Sequence, residues 1–123
     1  MKETRMGNLG IPVKHVSVTV TSDGTITCSP DPIGVNNKNA LVAFCLDTDG
    51  YHFPDTNAIV INTTSSDFPY SSWTIKPKLA GIADLCKIPG QVKYTVSVVN
   101  DATGVTTSLD PVIHNGTTST VND

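Results

Sequence analysis

The chain has 123 residues, of which 38% are hydrophobic and 15% are charged, with a formal net charge of −3. This length suits one domain with one core, and the composition is too apolar for a disordered chain and too polar for a membrane protein. The eight basic residues form no run, so we expect no nucleic-acid partner. No stretch approaches the roughly 20 apolar residues of a membrane-spanning helix, so we expect no membrane partner.

The N-terminal part of the chain predicts a leader followed by a β-hairpin. Residues 1–11 form no pattern and are predicted to be a loose leader. Residues 13–21 alternate between valine and polar side chains, which is typical of a half-buried strand. A Ser-Asp-Gly turn at 22–24 and a short apolar alternation at 25–28 predict the returning strand.

The middle of the chain predicts further short strands separated by turns. Two prolines in 29–34 interrupt strand pairing, because proline donates no hydrogen bond to a ladder. The continuous apolar run at 40–46 predicts a central core strand. Residues 58–62 and 73–76 predict two more strands, whereas 79–86 fits either a strand or a helical turn.

The C-terminal part predicts one longer hairpin. In 92–99 the residues Val92, Tyr94, Val96 and Val98 alternate with polar residues and are expected to face the core. The turn at 100–104 ends in a glycine suited to a positive φ. Residues 105–113 are the predicted return strand, and residues 115–123 are a predicted polar tail.

These seven or eight short strands, with no alternation of strand and helix, predict an all-β fold. The simplest arrangement is a two-sheet antiparallel β-sandwich, immunoglobulin-like, forming a single domain over residues 1–123. Trp73 is the expected large core residue.

Cysteine and histidine usage argues against a metal site. Cys28, Cys45 and Cys86 are far apart, and no pair has the close spacing of a zinc or copper site. We therefore expect no metal and no other cofactor. The N-terminus has charges without an apolar stretch after them, unlike a signal peptide, so we predict a cytoplasmic protein with reduced thiols.

The Asp110-Pro111 bond is the chemically suggestive feature of the sequence. A bond to proline is a tertiary amide with a more basic leaving nitrogen. The Asp110 carboxyl can attack its own carbonyl carbon, forming a five-membered anhydride, and intramolecular attack gains a very large effective concentration. Water then opens the anhydride, or an amine captures it.

Lys93 is the candidate amine. If residues 100–103 form the hairpin loop, Tyr94 pairs with Leu109 and Lys93 lies directly opposite Asp110, about 5 Å apart at Cβ. The alternative is an ordinary cross-strand ion pair between Lys93 and Asp110, worth under about 1 kcal/mol if exposed. Both interpretations follow from the same register.

The last hairpin resembles the C-terminal signature of the DP-EP family of small bacterial proteins. The resemblance is carried by Val-Lys-Tyr-Thr-Val-Ser-Val at 92–98, an Asp-Ala-Thr-Gly turn, and Leu-Asp-Pro-Val-Ile-His-Asn at 109–115. The earlier Ser-Pro-Asp-Pro at 29–32 also fits. The family implies a β-sandwich that cleaves itself after Asp110, with Pro111 as the new N-terminus and Lys93 joined to Asp110.

The sequence thus predicts a self-cleaving protein, an aspartic-type endopeptidase acting on itself, that retains residues 111–123 as a docked strand. A further carboxylate is needed to orient water or move protons. Asp31 is the first choice for it, ahead of Asp47 and Asp49. The alternative is a non-enzymatic structural or binding module, and self-association is open in either case.

Overall fold

The computed structural model describes residues 10–116, so most of the predicted leader and residues 117–123 of the predicted tail lie outside it. Every regular element in this range is a β-strand, which confirms the all-β prediction. The strands are β1 (Val13–Val20), β2 (Ile26–Ser29), β3 (Ile33–Val35), β4 (Ala40–Leu46), β5 (Tyr51–His52), β6 (Ile59–Ile61), β7 (Trp73–Lys76), β8 (Leu79–Asp84), β9 (Gly90–Asn100), β10 (Thr106–Leu109) and β11 (Val112–Asn115). No helix long and apolar enough to cross a bilayer occurs between residues 10 and 116.

Two sheets pack against each other, as the sandwich prediction requires. One has the order β2-β1-β4-β8-β7, and the other has the order β10-β9-β11-β3 with β5 and β6 also paired to β9. The expectation of purely antiparallel sheets was wrong, because β1 with β4 and β11 with β3 are parallel pairs. Parallel neighbours need a crossover, and the chain makes one by leaving the first sheet for β3 before it returns as β4. The immunoglobulin-like connectivity stays a prediction.

The core lies between the two sheets and follows the alternation in the sequence. The four inward residues predicted in β9 are all buried, and so are Val16, Val18 and Val20 of β1. The largest fully buried side chains are Tyr94, Phe44 and Phe53. The rings of Phe44 and Tyr94 pack edge to face with centroids 5.4 Å apart, which joins the centres of the two sheets.

Trp73 is not in the core, contrary to the sequence prediction. Its side chain is 46% exposed, and its strand β7 is the edge strand of the first sheet, where it pairs with β8 alone among the strands of residues 10–116. The indole packs on the outer face instead, where its ring lies 3.7 Å from the position that a Cβ on Gly81 would occupy. An edge strand has a neighbour on one side only, so its aromatic residue is covered less.

The three cysteines all lie within residues 10–116, form no disulfide there, and are partly or fully buried. Cys28 lies on β2, Cys45 on β4, and Cys86 follows β8. Burial and the Asp31 charge raise the pKa of Cys28 to about 11, and burial also raises the pKa of Cys45 and Cys86. Thiols with raised pKa values stay protonated at neutral pH and are poor nucleophiles.

Candidate functional site

The Asp110-Pro111 bond interrupts the strand that runs along β9. Strand β10 ends at Leu109 and β11 begins at Val112, so the bond lies between two strands that pair with the same edge of β9. The Pro111 carbonyl accepts a hydrogen bond from Tyr94 N at 3.1 Å. Proline has no N–H to return, so the ladder is incomplete here.

The register of this hairpin differs from the predicted one by two residues. Leu109 pairs with Val96 and Val112 pairs with Lys93, which leaves Thr95 opposite Asp110. The prediction that Lys93 lies directly opposite Asp110 was therefore wrong. A shift of two residues keeps each side chain on its face, which is why the inward residues of β9 were still predicted correctly.

The turn chemistry of Asn100 explains the shift. The predicted loop began at Asn100, but Asn100 N donates to Val105 O at 2.9 Å and is still part of the ladder. The Asn100 side-chain oxygen accepts from the amides of Ala102 and Thr103, which starts the turn one residue later. Gly104 closes it with a φ of 74°.

The Asp110 carboxylate is held by a short chain of hydrogen bonds. Thr95 Oγ1 donates to Asp110 Oδ1 at 2.7 Å, and Asn62 Nδ2 donates to Thr95 Oγ1 at 2.7 Å. Asp110 itself is exposed, and Thr95 is half-buried. Sequence reasoning missed Thr95 and Asn62, although the correct register alone would have pointed to Thr95.

Lys93 lies diagonally across from Asp110 on the exposed face. No ion pair joins Lys93 to Asp110, both of which the structure describes, so the simple ion-pair interpretation is also wrong. Diagonal neighbours on one face of an antiparallel pair lie roughly 7–8 Å apart, within reach of a long side chain. The Lys93 backbone is fixed, since its N–H donates to Thr63 Oγ1 and its carbonyl accepts from Asn62 N.

Asp31 lies on the other side of the Asp110-Pro111 bond. Its Oδ1 accepts a hydrogen bond from Val112 N at 3.1 Å, across 81 residues of sequence. The Pro111 carbonyl faces β9, so strand alternation directs the Asp110 carbonyl away from β9, to the side on which Asp31 lies. Asp47, the next choice from the sequence, is instead bound to the hydroxyl of Ser17 on β1.

Tyr94, whose N–H donates to the Pro111 carbonyl, has a phenol side chain that is buried in the core. Its Oη is buried, and the Cys28 thiol is the side-chain group that interacts with it. Burial raises the pKa of Tyr94 strongly, and Cys28 and Asp31 raise it further. The phenol therefore stays protonated at neutral pH, with the Asp31 carboxylate in its electrostatic surroundings.

Asp31, Thr95 and Asp110 thus bring two carboxylates and a hydroxyl to one Asp-Pro bond, with Lys93 on the same face as Asp110. The three predicted residues Asp31, Lys93 and Asp110 lie in one region. Asp110 belongs to the peptide bond and Asp31 accepts from the neighbouring Val112 N, whereas Lys93 is a diagonal neighbour of Asp110. No protein-family model matches the chain, and no curated protein matches its sequence.

Proposed function

We propose that this protein cleaves its own Asp110-Pro111 bond once and retains the C-terminal segment as a strand. The observation that carries the proposal is the position of two carboxylates on either side of the bond. Thr95 holds the Asp110 carboxylate, and Asp31 binds the Val112 N–H next to the leaving nitrogen. The likeness of residues 92–98 and 109–115 to the DP-EP signature supports it.

The reaction begins at Asp110. One oxygen of its carboxylate attacks the Asp110 carbonyl carbon, and the bond from that carbon to Pro111 N breaks. The nitrogen takes a proton as it leaves, giving a free N-terminal proline and a cyclic anhydride at Asp110. In its protonated form Asp31 can deliver this proton from the oxygen that does not accept from Val112 N, and the carboxylate so formed takes a new proton from solvent.

Two nucleophiles can open the anhydride. Water gives a free C-terminal Asp110 and consumes one water molecule. The Lys93 amine gives an amide to Asp110 and releases a proton. This amide links Lys93 on β9 to Asp110 at the end of β10. Lys93 is exposed and lies diagonally across from Asp110, so its amine is accessible for this step.

The segment after the bond is well anchored, so cleavage need not release it. Strand β11 lies between β9 and β3 and pairs with both. Ile113 and Asn115 are buried. We therefore expect the piece that begins at Pro111 to stay docked after the bond is cut.

Intact mass spectrometry during incubation of the purified chain tests the proposal. We expect the full-length mass to be replaced by two fragments that divide between Asp110 and Pro111. A large fragment one water lighter than hydrolysis predicts indicates the Lys93 link. A single full-length mass that persists through long incubation contradicts self-cleavage.

Replacing Asp31 by asparagine should slow cleavage by about 10²-fold, because general acid catalysis by a positioned side chain contributes 10²- to 10⁴-fold. Asparagine can still accept from Val112 N, so the local structure is kept while the acid is lost. Asp49→Asn, in the turn after β4, is the control and should cleave at the parent rate. Equal cleavage rates for the parent chain, Asp31→Asn and Asp49→Asn would show that Asp31 has no part in the mechanism.

A second candidate function, a binding module, is favoured by a cleft of about 440 Å³ beside β5 and β7. Its lining includes His52, whose Nδ1 lies 2.5 Å from Asp101 Oδ1, together with Asp55 and Lys76. Polar groups of both charges in one cleft suit a small zwitterionic ligand. This function is compatible with self-cleavage, because the cleft does not include Asp31 or Asp110.

A further inference from the structure

A buried polar cluster lies where the end of β11 meets the other sheet. Asp67, Asp84 and Asn115 are each at most 1% exposed. Asn115 ends β11, Asp84 ends β8, and Asp67 lies in the connection before β7. Asn115 was predicted to begin a polar tail, which was wrong, because its side chain reaches across the sandwich instead.

The amide of Asn115 joins the two carboxyl groups. Its Nδ2 donates to Asp84 Oδ1 at 2.9 Å and lies 3.4 Å from Asp67 Oδ2. Asp67 receives further donors, since Lys87 N binds its Oδ1 and Ile88 N binds its Oδ2. Both oxygens of Asp67 therefore face N–H groups, whereas only one oxygen of Asp84 does.

Two buried oxygens in this cluster have no partner within residues 10–116, namely Asp84 Oδ2 and Asn115 Oδ1. They belong to the same two groups that already share one hydrogen bond. Both are acceptors, so they cannot bond to each other while Asp84 is ionised. An unsatisfied buried acceptor is costly, and a proton on Asp84 Oδ2 would turn one of these two acceptors into a donor.

We propose that Asp84 and Asn115 form a carboxylic acid–amide pair, in which Asp84 Oδ2–H donates to Asn115 Oδ1, and that this pair is a pH-sensitive latch between β11 and β8. The pair has two parallel hydrogen bonds, one from each partner. It fastens the C-terminal strand to the opposite sheet. The latch acts on the uncleaved chain and does not require self-cleavage.

The surroundings of Asp84 favour the protonated form. Burial raises the pKa of Asp84 to about 6, and the Asp67 charge adds to this against the hydrogen bonds from Asn115 and Cys86 N–H. The Cys86 thiol near Asp84 donates to Val35 O. The positive charge of Lys38 opposes the rise in the pKa of Cys86 that burial and Asp84 cause. Strand alternation places His114 on the other face of β11.

The direction of the pH effect follows from the raised pKa. The folded state binds the Asp84 proton more tightly than the unfolded state, whose aspartate has its ordinary pKa. Stability from the latch is therefore complete below the unfolded value of about 4 and is lost as the pH rises through about 6. The latch is closed in mildly acidic solution and open above neutrality.

Asp84→Asn in the full-length chain tests the latch, because the added amide can donate to Asn115 Oδ1 at every pH. Urea unfolding at pH 4.5 and 7.5 measures the folding equilibrium constant. For the parent chain we expect this constant to fall about 25-fold more than for Asp84→Asn, because pH 4.5 already lies above the unfolded-state pKa of about 4 and the whole two-unit shift is not spanned. Exchange protection of the β11 amides should fall with it.

Asp49→Asn is the matched control, because it removes one exposed carboxylate and should keep the parent pH dependence. The Asp84 carboxyl carbon, followed by NMR in the parent chain, should titrate with a midpoint near pH 6. An Asp84 midpoint near pH 4 overturns the proposal even if Asp84→Asn fails to fold. A variant that folds and keeps the full parent slope also overturns it.

Discussion

Asp110→Ala is expected to abolish cleavage at the 110–111 bond. Alanine leaves the bond to Pro111 and its position between β10 and β11 in place, but it removes the carboxylate that attacks the carbonyl carbon and breaks this bond in the proposed mechanism. Attack by a carboxyl on its own residue's carbonyl owes its rate to a very large effective concentration, which no external group replaces. Intact mass spectrometry should show one full-length species at times when the parent chain is fully cleaved.

Lys93→Ala provides the contrast for Asp110→Ala. The anhydride still forms without the lysine, so the bond should still break, and water becomes the remaining acceptor. The large fragment should then carry the mass of simple hydrolysis and lose the form that is one water lighter. Normal cleavage of Asp110→Ala would exclude the anhydride route altogether. Loss of cleavage in Lys93→Ala would mean that the lysine acts before the bond breaks.

Phe44→Ala is expected to lower the free energy of unfolding by about 3–5 kcal/mol, which is the usual cost of removing a buried aromatic ring. Phe44 is 0% exposed and packs edge to face on Tyr94, so alanine leaves a cavity between the two sheets. Urea denaturation at neutral pH measures the loss. Stability of a small domain is commonly 5–15 kcal/mol, so the variant should be marginal.

Trp73→Ala is the control for Phe44→Ala. Trp73 has the larger ring but is 46% exposed on an edge strand, so its loss should be less than half that of Phe44. If the two losses are equal, or if Trp73→Ala is the more damaging, then the indole contributes to the core as the sequence alone suggested. The comparison therefore tests which aromatic residue organises the sandwich.

The local patterns of the chain were sufficient to predict most of its strands. Alternation of valine with polar residues predicted β1 and the buried face of β9, and the apolar run at 40–46 predicted β4 with its observed bounds. These patterns are local consequences of strand geometry, in which successive side chains point to opposite faces. Two short strands have no such pattern and were missed, namely β3, between prolines and a polar turn, and the two-residue β5.

The site required information that no local pattern contains. The register of the last hairpin depends on whether Asn100 is the last residue of the ladder or the first residue of the loop. Both alternatives give a plausible pairing of apolar residues, so the sequence pattern does not decide between them. That choice replaced Lys93 with Thr95 as the residue opposite Asp110. The sequence offers Asp31 as one of three possible helper carboxylates, and its bond to Val112 N depends on the parallel pairing of β3 with β11.

The sequence by itself determined that this protein is all-β, where most strands lie, which faces they bury, and that Asp110-Pro111 is its chemically suggestive bond. Only the tertiary structure decided what surrounds that bond, which aromatic residues are buried, and that Asn115 reaches Asp84. The reason is physical: strand patterns arise from neighbours in the chain, whereas register, edge position and polar pairing arise from contacts between segments far apart in sequence.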